Sequence, residues 1–369
     1  MRLTSSLPLV ALVTSALLAL SGCQPGSYQE SKLPETLAGD RAELSDVTFL
    51  ENPRDYVGAS TALLGPLTLT PLVSKPAQEL PVVVDSDELG KPLSVTVSST
   101  KRLLALDMSG SLAAMVWALG FGENLVGRDI STTFPGSDEL PVVTGSGHAI
   151  SPESVLALRP DLIITDGTIG PLDVVLQLRE AGIPVVFVRE TPGLSAPAAM
   201  ATSLGEILGV AELGVELATS LTASITSVGA VIAEKAPQAQ ADKLRMVFLY
   251  LRGGNGIYYL FGEESGSGDL IEALGGIDIA TETGWTGLRP MTDEALVAAN
   301  PDLILVMSEG LASVGGVEKL IEAKPALGLT HAGINRRFVD MADAQVLSFG
   351  PRTPEIMDAL ARAIYSPGQ

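Results

Sequence analysis

Two stretches decide the fold: "SPESVLALRPDLIIT", residues 151–165, and "TDEALVAANPDLILV", residues 292–306. In each, a glutamate is followed seven residues later by Pro-Asp-Leu-Ile. Glu153 leads to Pro160, and Glu294 leads to Pro301. The pattern reads as a short helix, stopped before proline, that feeds a central strand. One such unit in each half of the chain predicts two lobes of similar wiring.

The flanking sequence extends both units. In the first half, "PVVVDSDELGKPLSVTV" (81–97) reads as a hairpin around a turn-rich centre. "RLLALD" (102–107) is a buried-type strand, and "SGSLAAMVWALG" (109–120) a helix that ends at its glycine. "LIIT" (162–165), a helix over 171–181 and "VVFV" (185–188) follow. The second half repeats the plan, with strands at 245–252 and 303–307 and helices near 268–275, 291–299 and 354–364. Alternating strands and helices predict α/β wiring around a parallel sheet. Between the halves, residues 195–235 are rich in Ala, Leu and Val, with no proline after Pro197. They read as one long helix, or two in line. Two similar lobes with a helical spacer suggest a clamp that holds its ligand between them.

Composition narrows the partners. Of 369 residues, 43 are acidic and 23 are Lys or Arg, a formal charge of −20. That excludes a nucleic-acid binder, which needs clustered cations, and broad attraction to an anionic membrane. An anionic ligand would have to be held by local arginines against the overall field. The N-terminus has Arg2, then a short apolar run "LPLVALVTSALLAL" (7–20), then "LSGC" (20–23). The run is too short to span a bilayer comfortably and reads as a signal peptide over residues 1–22. "LSGC" resembles a bacterial lipobox, whose cysteine is acylated and becomes the first mature residue. Cys23 is the sole cysteine, so no disulfide within the chain is possible. The expectation is a protein lipid-anchored at Cys23 on the outer face of the cell membrane. Residues 24–80 lack a clear period and read mostly as a flexible tether, with a reach of about 40 Å.

The Glu-to-Pro-Asp-Leu-Ile repeat, with "GRDIST" (127–132), "GSGHAISPESV" (145–155), "FLYLRGGNGIYYLFG" (248–262) and "LSFGPRTPE" (347–355), resembles a known family. It is similar to the substrate-binding lipoproteins of bacterial ABC importers for haem, siderophores and cobalamin. Within them it resembles the haem-binding, HmuT-like branch. The resemblance covers roughly residues 81–366. It implies a class III substrate-binding protein: two Rossmann-like α/β lobes with mainly parallel sheets, joined by a long interlobe α-helix. The implied lobes are residues 81–193 and 237–369, with the linking helix at 194–236 and the lipidated tether at 23–80. It implies binding and release rather than an enzyme, with haem as the transported ligand. The implied partners are a permease, as a dimer, with its ATPase, and cell-surface haem-donor proteins. In that branch the iron is held by a histidine from the first lobe and a tyrosine from the second, which match His148 and Tyr250. Arg252 matches an arginine two residues after the tyrosine, and Met307 a methionine near the iron. Glu153 and Glu294 match the glutamates at the lobe tips that pair with permease arginines. A glutamate near a helix start is also favoured by the helix dipole alone.

The residue chemistry is consistent with these assignments. Ferric iron is hard and favours anionic oxygen, but a phenol with a pKa of about 10 needs a nearby positive charge to ionise easily. Residues two apart on a strand share a face, so Arg252 can serve Tyr250. His148 offers a neutral imidazole, an ordinary haem ligand. By spacing alone, a strand tyrosine is equally a core residue, and a lone histidine a surface one. Met307 is expected to pack near the phenolate rather than ligate. Trp285, Tyr258 and Tyr259 either border the macrocycle or fill a core. Arg352 either pairs with a propionate or is a solvated helix-start arginine. His331, the second of two histidines, reads as surface. Dinucleotide, P-loop, CxxC and HExxH signatures are absent, and no serine–histidine–acid arrangement stands out. The alternatives are the same fold carrying a ferric siderophore or cobalamin and, more remotely, a secreted enzyme or adhesive lipoprotein.

Overall fold

The computed structural model describes residues 41–65, 69–88, 90–189, 191–251 and 258–368. The signal peptide and Cys23 lie outside the described residues, as does Arg252.

The chain from residue 41 onward is not a free tether, which corrects the expectation for 24–80. Leu44, Ala62 and Leu64 are buried in the core of the C-terminal lobe. Strand β1 (Ser60–Ala62) forms the parallel edge of that lobe's sheet. Phe49 stacks on Tyr365 at 4.9 Å. Arg337, fully buried, donates to Gly58 O, Ser60 Oγ, Ala363 O and Ile364 O, and its guanidinium lies 4.8 Å over the Tyr56 ring. Residues 69–80 then dock on the N-terminal lobe. Leu69 O accepts from Trp117 Nε1 at 2.9 Å, Gln78 donates to Thr100 Oγ1 and Leu208 O, and Leu80 packs on that lobe's core. A segment without periodicity is thus ordered by side chains and carbonyls distant in sequence.

In the N-terminal lobe, β2 (Val82–Glu88) and β3 (Lys91–Val97) form an antiparallel hairpin. β4 (Leu103–Leu106), β5 (Leu162–Thr165) and β6 (Val185–Phe187) form a parallel sheet in that order. Their side chains alternate between two cores. Leu103, Ala105, Leu162 and Ile164 face α1 (Ser111–Val116), while Leu104, Leu106 and Ile163 face α2 (Pro152–Leu158) and α3 (Leu172–Glu180). Such strands have no polar face, as parallel strands covered on both sides require.

The link between the lobes is two helices that are not in line. α4 (Ala196–Ile207) belongs to the N-terminal lobe, and α5 (Ala211–Lys235) carries the connection. Gly209, at φ 69°, turns the chain between them. A Cβ on Gly205 would come 2.7 Å from Gly214 Cα, so two glycines let the helices pack side by side. α5 joins two cores: Leu217 and Leu221 lie in the N-terminal core, and Ile232 in the C-terminal one.

The C-terminal sheet contains β7 (Arg245–Leu251), β8 (Tyr258–Leu260), β9 (Ile277–Asp278), β10 (Arg289–Pro290), β11 (Leu303–Met307) and β12 (Phe338–Met341). The order is β1-β12-β11-β7-β8-β10, with β9 beside β7. β1, β12, β11 and β7 run parallel, and β8 and β10 are antiparallel additions. One face packs on α5 and the C-terminal helix Thr353–Tyr365.

The sequence repeat is also a structural one. Ser151 caps α2 by accepting from Ser154 N, and Thr292 caps the helix Asp293–Ala299 by accepting from Ala295 N. Both helices end on a left-handed residue, Arg159 and Asn300. An arginine at the foot of each first strand then reaches the last helical carbonyl, Arg102 to Leu158 O and Arg245 to Ala299 O. Arg102 and Arg245 therefore extend the repeat by a residue that the sequence pattern did not single out.

Arg337 holds β1 to the rest of the lobe by donating from one buried guanidinium to Ser60 Oγ on the strand and to Ala363 O and Ile364 O on the last helix. Arg337→Met should lower the unfolding free energy by about 3 kcal/mol in a urea titration. A loss below about 0.5 kcal/mol would show that the segment is fixed by other contacts.

Candidate functional site

His148 stands at the tip of a tight loop. Thr144 and Ile150 bridge its base, Gly145 N donates to Ala149 O at 2.6 Å, and His148 N donates to Gly145 O at 3.1 Å. Gly147 has φ 71°, and a Cβ there would meet open space. His148 itself has φ 59°, a left-handed conformation that is uncommon for a non-glycine residue. Backbone held this way costs of order 1 kcal/mol and tends to occur at functional positions. The side chain is half-buried. Three residues later Ser151 starts α2, so the loop is fixed to a rigid element.

Tyr250 is one residue short of the end of β7 and is half-buried. Alternation puts it on the face of Met246 and Phe248, the face covered by α5 and the C-terminal helix. Tyr259 is its register partner on β8, with ring centroids 6.4 Å apart, and Phe261 meets it edge-on at 6.1 Å. Met307 lies one step past the register pair Val306–Leu249, so it is Tyr250's counterpart on the adjacent strand. It packs against the same core. Tyr250, Tyr259 and Met307 therefore gather at one end of one sheet face.

The other two aromatic candidates are elsewhere. Tyr258 is 2 % exposed in the core on the opposite face of β7. Its hydroxyl donates to Asp293 Oδ1 at 2.6 Å, and burial, reinforced by Asp293, holds its pKa above the usual phenol range. Trp285 packs against that same core, with Arg289 5.0 Å over its ring. Tyr258 takes the core-filling role because neighbouring residues on β8 point to opposite faces and the register gives Tyr259 to Tyr250, and Trp285 is half-buried against the same core. His331 is not a plain surface residue either: its Nδ1 lies 3.4 Å from Asp302 Oδ1.

A crevice separates the lobes. Ser109–Ala114 with Ser131, Thr133 and Phe134 form its N-terminal wall, and Leu64, Gln345, Ser348 and Gly350–Arg352 line the other. Arg352, at the N-terminus of the last helix, is largely buried here rather than solvated, and burial lowers its pKa. Its Nε and Nη2, and Gln345 Nε2, are buried without a hydrogen-bond partner among the described residues. Neither His148 nor Tyr250 lines this crevice.

Two buried carboxyls support the N-terminal wall, and neither was singled out from sequence. Asp107 accepts from Ser109 Oγ, Ser111 N and Oγ, and Leu112 N, which caps α1. Asp129, in "GRDIST", accepts from Thr132 N and Oγ1 and from Ser131 N. The turns touch, since a Cβ on Gly110 would lie 2.6 Å from Ser131 O. Burial, with the Asp107 charge second, pushes the Asp129 carboxyl up to about 7. The Asp-x-Ser-x-Ser spacing after β4 was the available signal, since serines two and four residues on can both donate to one aspartate.

Glu153 and Glu294 are the second residues of their helices, and both are exposed.

Raised in the folded state, Asp129 binds a proton there that the unfolded chain has lost. Stability should therefore fall as pH rises from about 4 to about 7. Asp129→Asn should flatten this slope in melting temperatures taken across the range. An unaltered slope would assign it to other groups.

Residues 108–344 match the family described as periplasmic binding protein. A relative from Bacillus subtilis, the uncharacterized ABC transporter substrate-binding lipoprotein YvrC, is 27 % identical over 289 residues, 77 % of this chain and 86 % of its own. A cobalamin-binding protein of Halobacterium salinarum is 25 % identical over 73 % of this chain and 70 % of its own. Among solved structures, the heme-binding protein HmuT matches with a TM-score of 0.78 and 35 % identity, over 85 % of this chain and 99 % of that one. HmuT has also been solved with a histidine, a tyrosine, or an arginine two residues beyond that tyrosine replaced by alanine. The periplasmic heme-binding protein RhuT of Roseiflexus sp. RS-1, in apo form, matches with a TM-score of 0.65 and 33 % identity, over 73 % of this chain and all of that one. With more than half its length in the family match and HmuT covered almost whole, the chain belongs to the periplasmic binding protein family and is HmuT-like within it.

Proposed function

We propose that this protein captures haem between its lobes, with His148 and Tyr250 as the two axial ligands, and delivers it to an ABC importer for iron acquisition. One observation carries the reading. Tyr250 and His148 stand at fixed positions on opposite lobes, and HmuT, 35 % identical, has been studied through replacement of a histidine, a tyrosine and an arginine two residues past the tyrosine. Here the same residue types and the same two-residue spacing recur as His148, Tyr250 and Arg252. The surroundings of Tyr250 fit a flat macrocycle, because Tyr259 and Phe261 offer ring faces and edges beside it. Arg252 would stabilise the phenolate, Met307 would pack beside the iron-bound oxygen, and the imidazole would close the coordination from the other lobe.

Delivery uses the outer ends of the lobes. Glu153 and Glu294 hold equivalent places in the repeated units, so a two-fold permease could receive both with equivalent arginines. The permease works with its ATPase, and cell-surface haem donors would supply the ligand. Lipidation at Cys23 would keep the protein on the extracytoplasmic face of the membrane. With the chain packed from residue 41, a tether confined to 24–40 would reach about 20–25 Å as a coil rather than 40 Å. The protein would then work close to its own membrane.

The cobalamin-binding relative supports a second reading in which the ligand satisfies its own metal and neither His148 nor Tyr250 faces it. Absorbance separates the two. Hemin added to the purified protein should give a sharpened Soret band and a ferric charge-transfer band at one haem per chain. Tyr250→Ala should remove the charge-transfer band and weaken binding at least tenfold, as should His148→Ala to a smaller degree. Unchanged haem binding in the double variant would overturn the axial assignment, and binding of cobalamin alone would favour the second reading.

A further inference from the structure

Among the described residues, the long helix is not the sole link between the lobes. α5 makes the crossing with Leu217 and Leu221 in one core and Ile232 in the other. The N-terminal segment makes its own crossing. Leu64 is fully buried in the C-terminal core and lines the interlobe crevice. Leu69, five residues on, packs on the N-terminal core, and its carbonyl is held by Trp117 Nε1. Both ends of this crossing are anchored beyond a single residue. On one side are β1 in the sheet, the Arg337 hydrogen bonds and the Phe49–Tyr365 stack. On the other, Leu72 N donates to Ala118 O, a Cβ on Gly120 would lie 2.1 Å from Val73 O, and Glu79 N donates to Gly209 O.

We infer that residues 41–65 and 69–80, joined covalently through 66–68, act as a strap that ties the two lobes at the edge of the crevice and limits how far they separate. Five virtual bonds extend at most about 18 Å, so the lobes cannot part at this edge by more than the remaining slack unless Leu64 or Leu69 leaves its core. A single connecting helix would allow the lobes to swing about its ends, whereas two crossings leave a restricted rotation. Because Leu64 lines the crevice, the strap sets how wide the crevice can open at this edge.

The test needs no ligand and is independent of the haem reading. In the mature chain with Cys23→Ser, spin labels would be placed at Leu156→Cys on the N-terminal lobe and Leu329→Cys on the C-terminal lobe, both exposed positions. Inserting about twelve Gly/Ser residues between Gly65 and Pro66 lengthens the tie without touching its anchors. The interlobe distance distribution should broaden or shift by more than about 5 Å, while the same insertion between Gly90 and Lys91, in the hairpin turn, should leave it unaltered. Should the insertion impair folding, a protease site replacing residues 66–68, cut after folding, gives the same release on a native body. An unchanged distribution after lengthening or cutting would overturn the strap.

Discussion

The structure depends on one helix being shared by two cores. α5 has 25 residues, so it spans about 37 Å. Its first half gives Leu217 and Leu221 to the N-terminal lobe, and its second half gives Ile232 to the C-terminal lobe. Between and around these, Thr219, Thr222 and Thr226 hydrogen-bond to the carbonyls one turn back on the exposed side. The helix is therefore bound by apolar packing at both ends and solvated along its free face. A connection of this kind fixes the separation of the lobes along its axis and leaves rotation about its ends to be limited by other links. Every other interlobe feature works within that limit.

Each lobe is then built by the same local device. A capped seven-residue helix ends on a left-handed residue, passes Pro-Asp, and enters a strand with no polar face. The aspartate of each copy ties to neighbouring backbone: Asp161 N donates to Arg102 O, and Asp302 N to Arg245 O. Those arginines return to the helix's terminal carbonyl, where a cation is favoured. Helix, turn and strand are thereby locked into one rigid corner in each lobe. In the first lobe that corner directly follows the His148 loop, so its position is set by the same hydrogen bonds that hold Glu153 at the surface. On the proposed function, ligand contact and partner contact would share a corner on the first lobe, whereas in the second they would be separated: Tyr250 is on β7 and Glu294 on the helix before β11.

The strands and most helices were legible because their signal is local. "LIIT" and "LILVM" are apolar runs of strand length bounded by Pro-Asp, and they are strands at those residues. What was not legible depends on partners far away. β1 is only Ser-Thr-Ala, and what holds it is a bond from Ser60 Oγ to Ala363 O and a buried guanidinium from Arg337. Nothing in the composition of residues 41–80 indicates acceptors 300 positions later. The α4–α5 turn was obscured by helical composition on both sides, although Gly205, Gly209 and Gly214 were the signal. The aromatic candidates show a sharper limit. Tyr258 and Tyr259 are adjacent, so they must face opposite ways, but only the β7–β8 register decides which one joins Tyr250.

The two kinds of interlobe contact differ in what they can do. α5 and the strap are covalent links anchored in apolar cores, and separating them from those cores exposes leucine surface. The crevice is mixed: Ser109, Ser111, Ser131, Thr133, Gln345 and Arg352 share its lining with Leu64, Ala114, Phe134 and Ile356. On the N-terminal side the Ser109 and Ser111 hydroxyls donate to Asp107, so their protons are not directed at the other lobe. On the C-terminal side the Arg352 and Gln345 donors are buried without partners among the described residues, each at a cost of about 1–3 kcal/mol. Parting the crevice would therefore recover hydration for those donors. A binding protein that must release its ligand is served by this asymmetry, with core-anchored links at the edges and, between them, a seam whose unpaired donors gain hydration on opening.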